Sequence, residues 1–524
     1  MSRRRMFGLF ILLGIGLFME SVLSNGMAQP SRGGTLVVGM VAEPTVLDSN
    51  SGAWNVAPVF GNILRPLVEA DDNLKIVPGM AESWNIDYKS KTYTFNLRKN
   101  IKWHDGKPFT AQDVKFTLES FFPKYNFLGM YLDGTKVDIV GDTKVVVKPG
   151  TWAPGTQSGL FASADWSMYP KHLLEGVDFM KSDYRKAPVG TGPFKFKEWV
   201  RGSHITLERN DDFWRSGKPY VDKIIIKIIR DPSLLLLSLT TGEVDFVYRG
   251  LPYEAYETVK RNPNLQTIVD YKPNYKVFLV SNTKHPILSS LMVRKAIMHA
   301  INKKDITAKA TSNVCRVSDR MFAPEILPEN KNLTFYDYNP KKAEEFLDRA
   351  GYPKKSGGVR FSLQILVRAG ETDEEKTADL LKDYLKEVGI DLTIKKVDFN
   401  TTLQLQCNYQ YELATQKKGN VPFFNYQQHH SKWIRPGKIL SNISQYSNPK
   451  VDSLYDQWVY HATSDEERNK AILEAESILT DELPEAPLFD VAWMYIWSKR
   501  VKNAFVPARF MFQSESFEDV HISK

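Results

Sequence analysis

The sequence predicts an α/β (α+β) chain with mixed sheets, and three observations predict it. The first is a set of apolar runs of strand length. "TLVVGM" (Thr35–Met40) is one, and "DKIIIKIIRD" (222–231) is apolar enough for the centre of a sheet. The second is a pair of helices marked at both ends. "NPKKAEEFLDRAGY" has Asn339 as its cap, Pro340 in its first turn and Gly351 as its stop. "DEEKTADLLKDYLKEVGI" places Ala378, Leu381, Leu385 and Val388 on one face and ends at Gly389. The third is that the two patterns alternate, with "DLTIKKVDF" following that helix as a half-buried strand. Nearer the N-terminus, "TYTFNLRKNIKWHDGKPFT" reads as two strand-like runs ending at the Asp105-Gly106 turn. Thr110 then caps the helix "AQDVKFTLESFF", with Asp113 three residues on. No internal repeat is visible.

A chain of 524 residues is too long for one core and implies two to four domains. Its 42% hydrophobic and 12% aromatic content is that of a folded protein. The formal charge is +8, of which Arg3, Arg4 and Arg5 against Glu20 account for +2. The rest is spread along the chain, which argues against nucleic acid as a partner. Arg3 to Arg5, the apolar run from Met6 to Met19 and Gly26-Met27-Ala28 have the order of a cleaved secretory signal. The run is short for a membrane span. Residues 1–28 are therefore expected to be removed, and with no Cys near that point the exported protein is expected to carry no lipid. Cys315 and Cys407 are read as two separate buried thiols.

No nucleophile, zinc or phosphate-loop motif occurs, so no catalytic residue, metal site or cofactor is expected. His104-Asp105 sits in turn chemistry and is read as structural. The most unusual segment runs from Ala414 to Lys450: "ATQKKGNVPFFNYQQHHSKWIRPGKILSNISQYSNPK" has no Asp or Glu, and carries six Lys and Arg. His429-His430 within it is read as surface loop, since no acid or Cys lies nearby in sequence. For Phe423, Phe424 and Trp433, core or loop packing competes with ligand stacking.

Three further segments carry a resemblance. "VPGMAESWNIDYKSKTYTFNLRKNIKWHDGKPFTAQDVKFTLE", "PVGTGPFKFKEWVRGSHITLERNDDFW" and "LSSLMVRKAIMHAINKKDI" resemble signatures of the extracytoplasmic solute-binding proteins of ABC importers, of the dipeptide, oligopeptide and nickel type (family 5). The similarity continues through "YSNPKVDSLYDQWV" and covers essentially the mature chain. It implies a two-lobed periplasmic-binding-protein clamp with three domains, the extra one inserted in the first lobe. Lobe I would comprise residues 29–60, 188–274 and 491–524, the inserted domain residues 61–187, and lobe II residues 275–490. It also implies a monomeric, non-enzymatic periplasmic protein that delivers a small solute to ABC permease membrane subunits.

The resemblance further implies the ligand residues. Arg368, ten residues before Ala378, matches an arginine that grips a ligand carboxylate in dipeptide-binding relatives. Those relatives have an aspartate for the peptide ammonium after a strand matched here by Glu412-Leu413-Ala414; Lys417, Lys418 and Asn420 follow instead. Trp54, in the first-lobe loop, and Tyr275, at the start of lobe II, complete the set. Missing its acid, this loop points to an anionic or sugar-like solute, with short peptides as the alternative and a metal chelate or a secreted hydrolase as remoter ones. Free dipeptides are then expected to bind weakly, unless an acid such as Glu43 or Asp48 substitutes.

Overall fold

The computed structural model describes residues 30–48, 57–71, 75–126, 129–154, 157, 161–163, 166–248, 250–271, 275–322, 324, 327–419, 422–504 and 516–523. The leader, Trp54 and Asn420 lie outside these residues.

Three larger sheets organise the described residues. The seven-stranded sheet runs in the order Leu265–Asp270, Trp493–Ser498, Phe246–Tyr248, Thr35–Met40, Lys223–Ile228, His204–Arg209, Phe194–Val200. The apolar runs named from sequence form its middle. Thr35–Met40 pairs parallel with Lys223–Ile228, Thr35 facing Lys223, and parallel with Phe246–Tyr248 on its other side. The six-stranded sheet runs Arg316–Val317, Glu485–Asp490, Tyr275–Ser281, Leu413–Gly419, Phe361–Arg368, Ile390–Val397. Val277, Phe278, Leu279 and Val280 in its interior are all buried, because side chains on both faces meet packed elements. A four-stranded antiparallel sheet is built from Ala81–Asp87, Thr92–Leu97, Lys144–Lys148 and Lys136–Val140.

Local signals fold as their chemistry dictates. Thr110 and Asp113 form a reciprocal capping box at the start of Ala111–Phe116. The helical course continues through a π turn, Thr117–Phe121, to Tyr125. Asn339 caps Pro340–Arg349 through its side chain, accepting from the Lys342 N–H at 3.1 Å. Of the two strand-like runs, the first forms strand Thr92–Leu97 and the second is reduced to one bridge, Lys102 with Pro108, around the Asp105-Gly106 turn. His104 is a wedge there: its Nδ1 accepts from Gly190 N at 3.2 Å, and its Nε2 lies 3.0 Å from the Gly192 carbonyl. Burial pushes its pKa down to about 4, so at neutral pH the ring is a fixed neutral spacer. Gly190 has to be glycine, since a Cβ would stand 1.8 Å from the Ile63 carbonyl oxygen. His104 thus joins the four-stranded part to the seven-stranded part, as does a buried cluster in which Glu518 pairs with Arg65 and Arg215.

The six-stranded body connects to this assembly by two chain crossings that lie side by side. Tyr275 accepts from Val491 N at 2.8 Å, and its ring lies 5.4 Å from that of Trp493. Tyr253 Oη donates to the Ala492 carbonyl at 3.0 Å, and Tyr271 Oη to that of Val314 at 2.7 Å. Away from the crossings the two sides meet at Glu254 with Lys376, at Tyr131 with Gln427 and at Tyr88 with Arg468. Cys315 and Cys407 are separate buried thiols. No helix among the described residues is long and apolar enough to cross a membrane.

Candidate ligand site

The acid-free segment is not a loop. Leu413–Gly419 is an interior strand of the six-stranded sheet, with Tyr275 opposite Gly419, Lys276 opposite Lys418 and Val277 opposite Lys417. Helix Pro422–His429 follows almost at once. Strand alternation sends Lys417 and Lys418 to opposite faces, where each meets acids from elsewhere.

Lys417 Nζ reaches Glu371 at 2.5 Å and Asp373 Oδ1 at 2.9 Å. These acids lie at the first turn of helix Thr372–Glu387, where the helix dipole favours them. Burial opposes the Lys417 ammonium, but Asp373, Glu371 and Glu374 outweigh it and hold its pKa above the ordinary lysine value. Arg368 Nη2 binds Glu374 at 2.8 Å and Glu371 at 3.3 Å. Burial pushes the Glu374 carboxyl up, against the pull of Arg368 and Lys417. Three carboxyl groups thus surround two cations. Two polar atoms in the cluster are buried without a hydrogen-bond partner, Asp373 Oδ2 and Arg368 Nε.

On the opposite face Lys418 binds Glu485 and, at 2.5 Å, Gln428 Oε1, with its ammonium 4.7 Å from the Phe278 ring centre. Glu485 also faces His429 Nε2 at 3.2 Å, and His429 Nδ1 lies 3.3 Å from Tyr455 Oη. Lys418, His429 and Glu485 are all buried. Lys418 is therefore a buried ion-pair partner on this face of the sheet. The surface-loop reading of His429-His430 is corrected. Both are buried, and His430 faces Asp452 and Asp456 at 3.4 and 3.3 Å. Lys432 and Lys450 find Asp456 and Glu474 at 3.8 and 2.8 Å. Four of the segment's six cations thus meet carboxylates brought from elsewhere in the chain.

The aromatics pack inward. Tyr426 is fully buried against Trp433, Tyr455 and Tyr460, and Phe424 and Trp433 are buried as well. Tyr275 lies at the crossing, half-buried. The first-lobe acids are engaged: Glu43 accepts from Trp199 Nε1 at 3.2 Å and Gly202 N at 2.9 Å, and Asp48 pairs with Arg185 at 2.7 Å. Among the described residues no group of three or more His, Cys, Asp or Glu is arranged to hold a metal.

The structure thus brings Arg368 and Lys417 into one cluster and puts Lys418 on the other side of the sheet. It adds Glu371, Asp373 and Glu374, at the start of helix Thr372–Glu387. It also adds Gln427 and Tyr131, whose contact spans 296 residues and has no local signal. The Glu254–Lys376 pair across the seam is partly solvated, so Lys376→Ala is expected to weaken ligand binding by less than about fivefold in calorimetry.

The comparisons agree with this architecture. Residues 75–448 match the model of the bacterial extracellular solute-binding proteins, family 5 middle region. The chain is 28% identical over 489 residues to the oligopeptide-binding protein AppA of Bacillus subtilis, covering 87% of this chain and 88% of that one. The structure of that AppA in complex with a nonapeptide superposes with a TM-score of 0.78 at 24% identity, covering 95% of this chain and 100% of AppA. The periplasmic binding protein DppA of Helicobacter pylori, in complex with the peptide STSA, gives 0.78 at 24%, covering 94% and 99%. The fold is the two-lobed clamp of these proteins, and the chain belongs to the family-5 bacterial extracellular solute-binding proteins.

Proposed function

We propose that this protein captures short peptides with a free N-terminus between its lobes and delivers them to the membrane permease of an ABC importer. The observation that carries the reading is the state of the cations. An anionic or sugar-acid ligand was expected to meet Lys417 and Lys418, yet both ammonium groups are held by carboxylates. What the cluster offers is negative: three carboxyl groups against Arg368 and Lys417, with Asp373 Oδ2 unpartnered. A peptide α-ammonium supplies the missing charge, and the peptides named with the relatives point the same way. In this reading Arg368 still offers its Nε–H to a ligand oxygen. Trp54 and Asn420 remain proposed contacts.

We assign the lobes as residues 29–60, 188–274 and 491–524 against 275–490, with 61–187 inserted. Supporting this, each large sheet draws its strands from within one of these sets. Export by removal of residues 1–28 and a monomeric, non-enzymatic mode of action complete the proposal. Closure is a population shift: a ligand touching both lobes favours the closed form by its differential contacts.

The test is calorimetry and small-angle scattering on the mature protein with peptides of two to five residues, their N-acetylated forms, sugar acids and sugar phosphates. Free peptides are expected to bind, to raise the melting temperature with concentration and to shrink the radius of gyration. Binding of sugar acids or sugar phosphates in place of peptides overturns the proposal.

A further inference from the structure

Gln427 occupies an unusual position. It lies on helix Pro422–His429, directly after the strand that carries Lys417, and its side chain is fully buried. Its Nε2 donates to Tyr131 Oη at 3.1 Å, from the opposite side of the seam. Tyr131 is itself buried and is held by its backbone, whose carbonyl accepts from Gln157 Nε2 at 2.8 Å. Yet Gln427 Oε1 has no hydrogen-bond partner. An orphaned amide oxygen at this depth keeps its full desolvation penalty. Rotating the carboxamide does not remove the problem. Tyr131 would then donate to Oε1, and Nε2 would be the orphan.

The missing partner must therefore satisfy a neutral amide from either orientation. A charged group does not fit, because its desolvation against a neutral carboxamide is uncompensated. A neutral group that can donate or accept does, and in a bound peptide the backbone amide is such a group, donating its N–H or accepting through its carbonyl. Resting on the peptide reading above, we propose that Gln427 recognises a backbone amide of the bound peptide, and that Tyr131 positions it across the seam. Gln427 then reads peptide character itself, independently of side chains and of the terminal ammonium. Because Tyr131 comes from the other side of the seam, this readout is assembled only when the two sides meet. Closure and recognition of a peptide bond become one event.

The test is calorimetry on the mature protein with tetra-alanine and three analogues, each with one amide replaced by an ester. The ester removes the N–H and weakens the carbonyl, so it reports on either orientation. In the wild type one ester position is expected to cost about three- to tenfold in affinity beyond the others. In Gln427→Leu that excess should vanish, the parent peptide and that ester binding alike, as the coupling in a double-mutant cycle requires. Tyr131→Phe keeps the ring and removes the hydroxyl, so it tests positioning without a packing change and should shrink the same excess. If both variants lower affinity equally for the peptide and all three esters, Gln427 is a bridge between the two sides and the inference is overturned while the peptide reading stands. Unchanged affinities in both variants overturn it as well, a trapped water being the partner. If the wild type binds none of the four but binds a sugar acid, the peptide reading falls and the inference with it.

Discussion

Replacing Glu485 with alanine is expected to lower the melting temperature by on the order of 10 °C, the largest stability effect of any single ionic substitution proposed for this protein. Glu485 is buried between Lys418 and His429, and the substitution strands the Lys418 ammonium with only the Gln428 carbonyl and the face of Phe278. Breaking one side of a buried pair costs about 3–5 kcal/mol, since the remaining charge keeps its desolvation penalty. The pKa leads to a similar size. Burial pushes the Glu485 carboxyl up, but Lys418 and His429 outweigh it and hold the pKa at about 2, against 4.5 for an ordinary glutamate. At roughly 1.4 kcal/mol per unit that difference is about 3 kcal/mol. Burial also pulls the Lys418 pKa down despite its partner, so the stability the pair contributes is read from the Glu485 side. Because the folded pKa is the lower one, this stability is fully present above pH 4.5 and is lost as pH falls towards 2. Thermal melts from pH 7 to 2.5 should therefore converge for wild type and Glu485→Ala at the acid end. Parallel curves at constant separation would refute the assignment of the charge pair. Glu485→Gln keeps the shape and some hydrogen bonding, and should fall between the two.

This pair also shows where sequence legibility ended. The strands Thr35–Met40 and Lys223–Ile228, the cap at Thr110 and the helix stops at Gly351 and Gly389 are readable because their causes lie within a few residues. The acid-free stretch misled for the complementary reason. Its Lys417 and Lys418 are neutralised by Glu371, Asp373 and Glu485, and only the sheet brings these acids to them. Lys417 and Lys418 are adjacent in sequence, but a strand's period of two places them on opposite faces. Their neighbours are then set by pairing with Tyr275–Ser281 and Phe361–Arg368, which no local pattern reveals. His429 and His430 read as surface loop because no acid or Cys lies near them in sequence, whereas Glu485, Asp452 and Asp456 reach them through the fold and allow them into the interior. Arg368 was singled out by a spacing that the family resemblance makes recognisable. Asp373, five residues later, was not, because first-turn acids are ordinary helix chemistry.

Asp373→Asn is expected to weaken binding of free peptides by about ten- to a hundredfold, the loss of a charge-assisted hydrogen bond worth roughly 1.5–3 kcal/mol. The group is suited to an ammonium because Oδ1 is already engaged by Lys417 and the Glu374 N–H, leaving Oδ2 buried and unpartnered. The substitution leaves Lys417 its 2.5 Å contact with Glu371, so the cluster keeps a carboxylate and the strand keeps its place. Three readouts separate ligand recognition from a general structural effect. N-acetylated peptides, which bring no ammonium, should bind wild type and Asp373→Asn with equal, weak affinity. Wild-type affinity should fall as pH rises through about 8, where a peptide's α-ammonium loses its proton, by up to tenfold per unit. In Asp373→Asn that fall should flatten, because a neutral amide gains little from the ligand's charge. Thermal stability without ligand should change far less than in Glu485→Ala. If acetylated and free peptides bind wild type equally, no carboxylate reads the N-terminus and Asp373 serves only Lys417. If discrimination persists undiminished in Asp373→Asn, the ammonium is held elsewhere, and Glu371, which shares Lys417 and Arg368 with this cluster, becomes the residue to replace next.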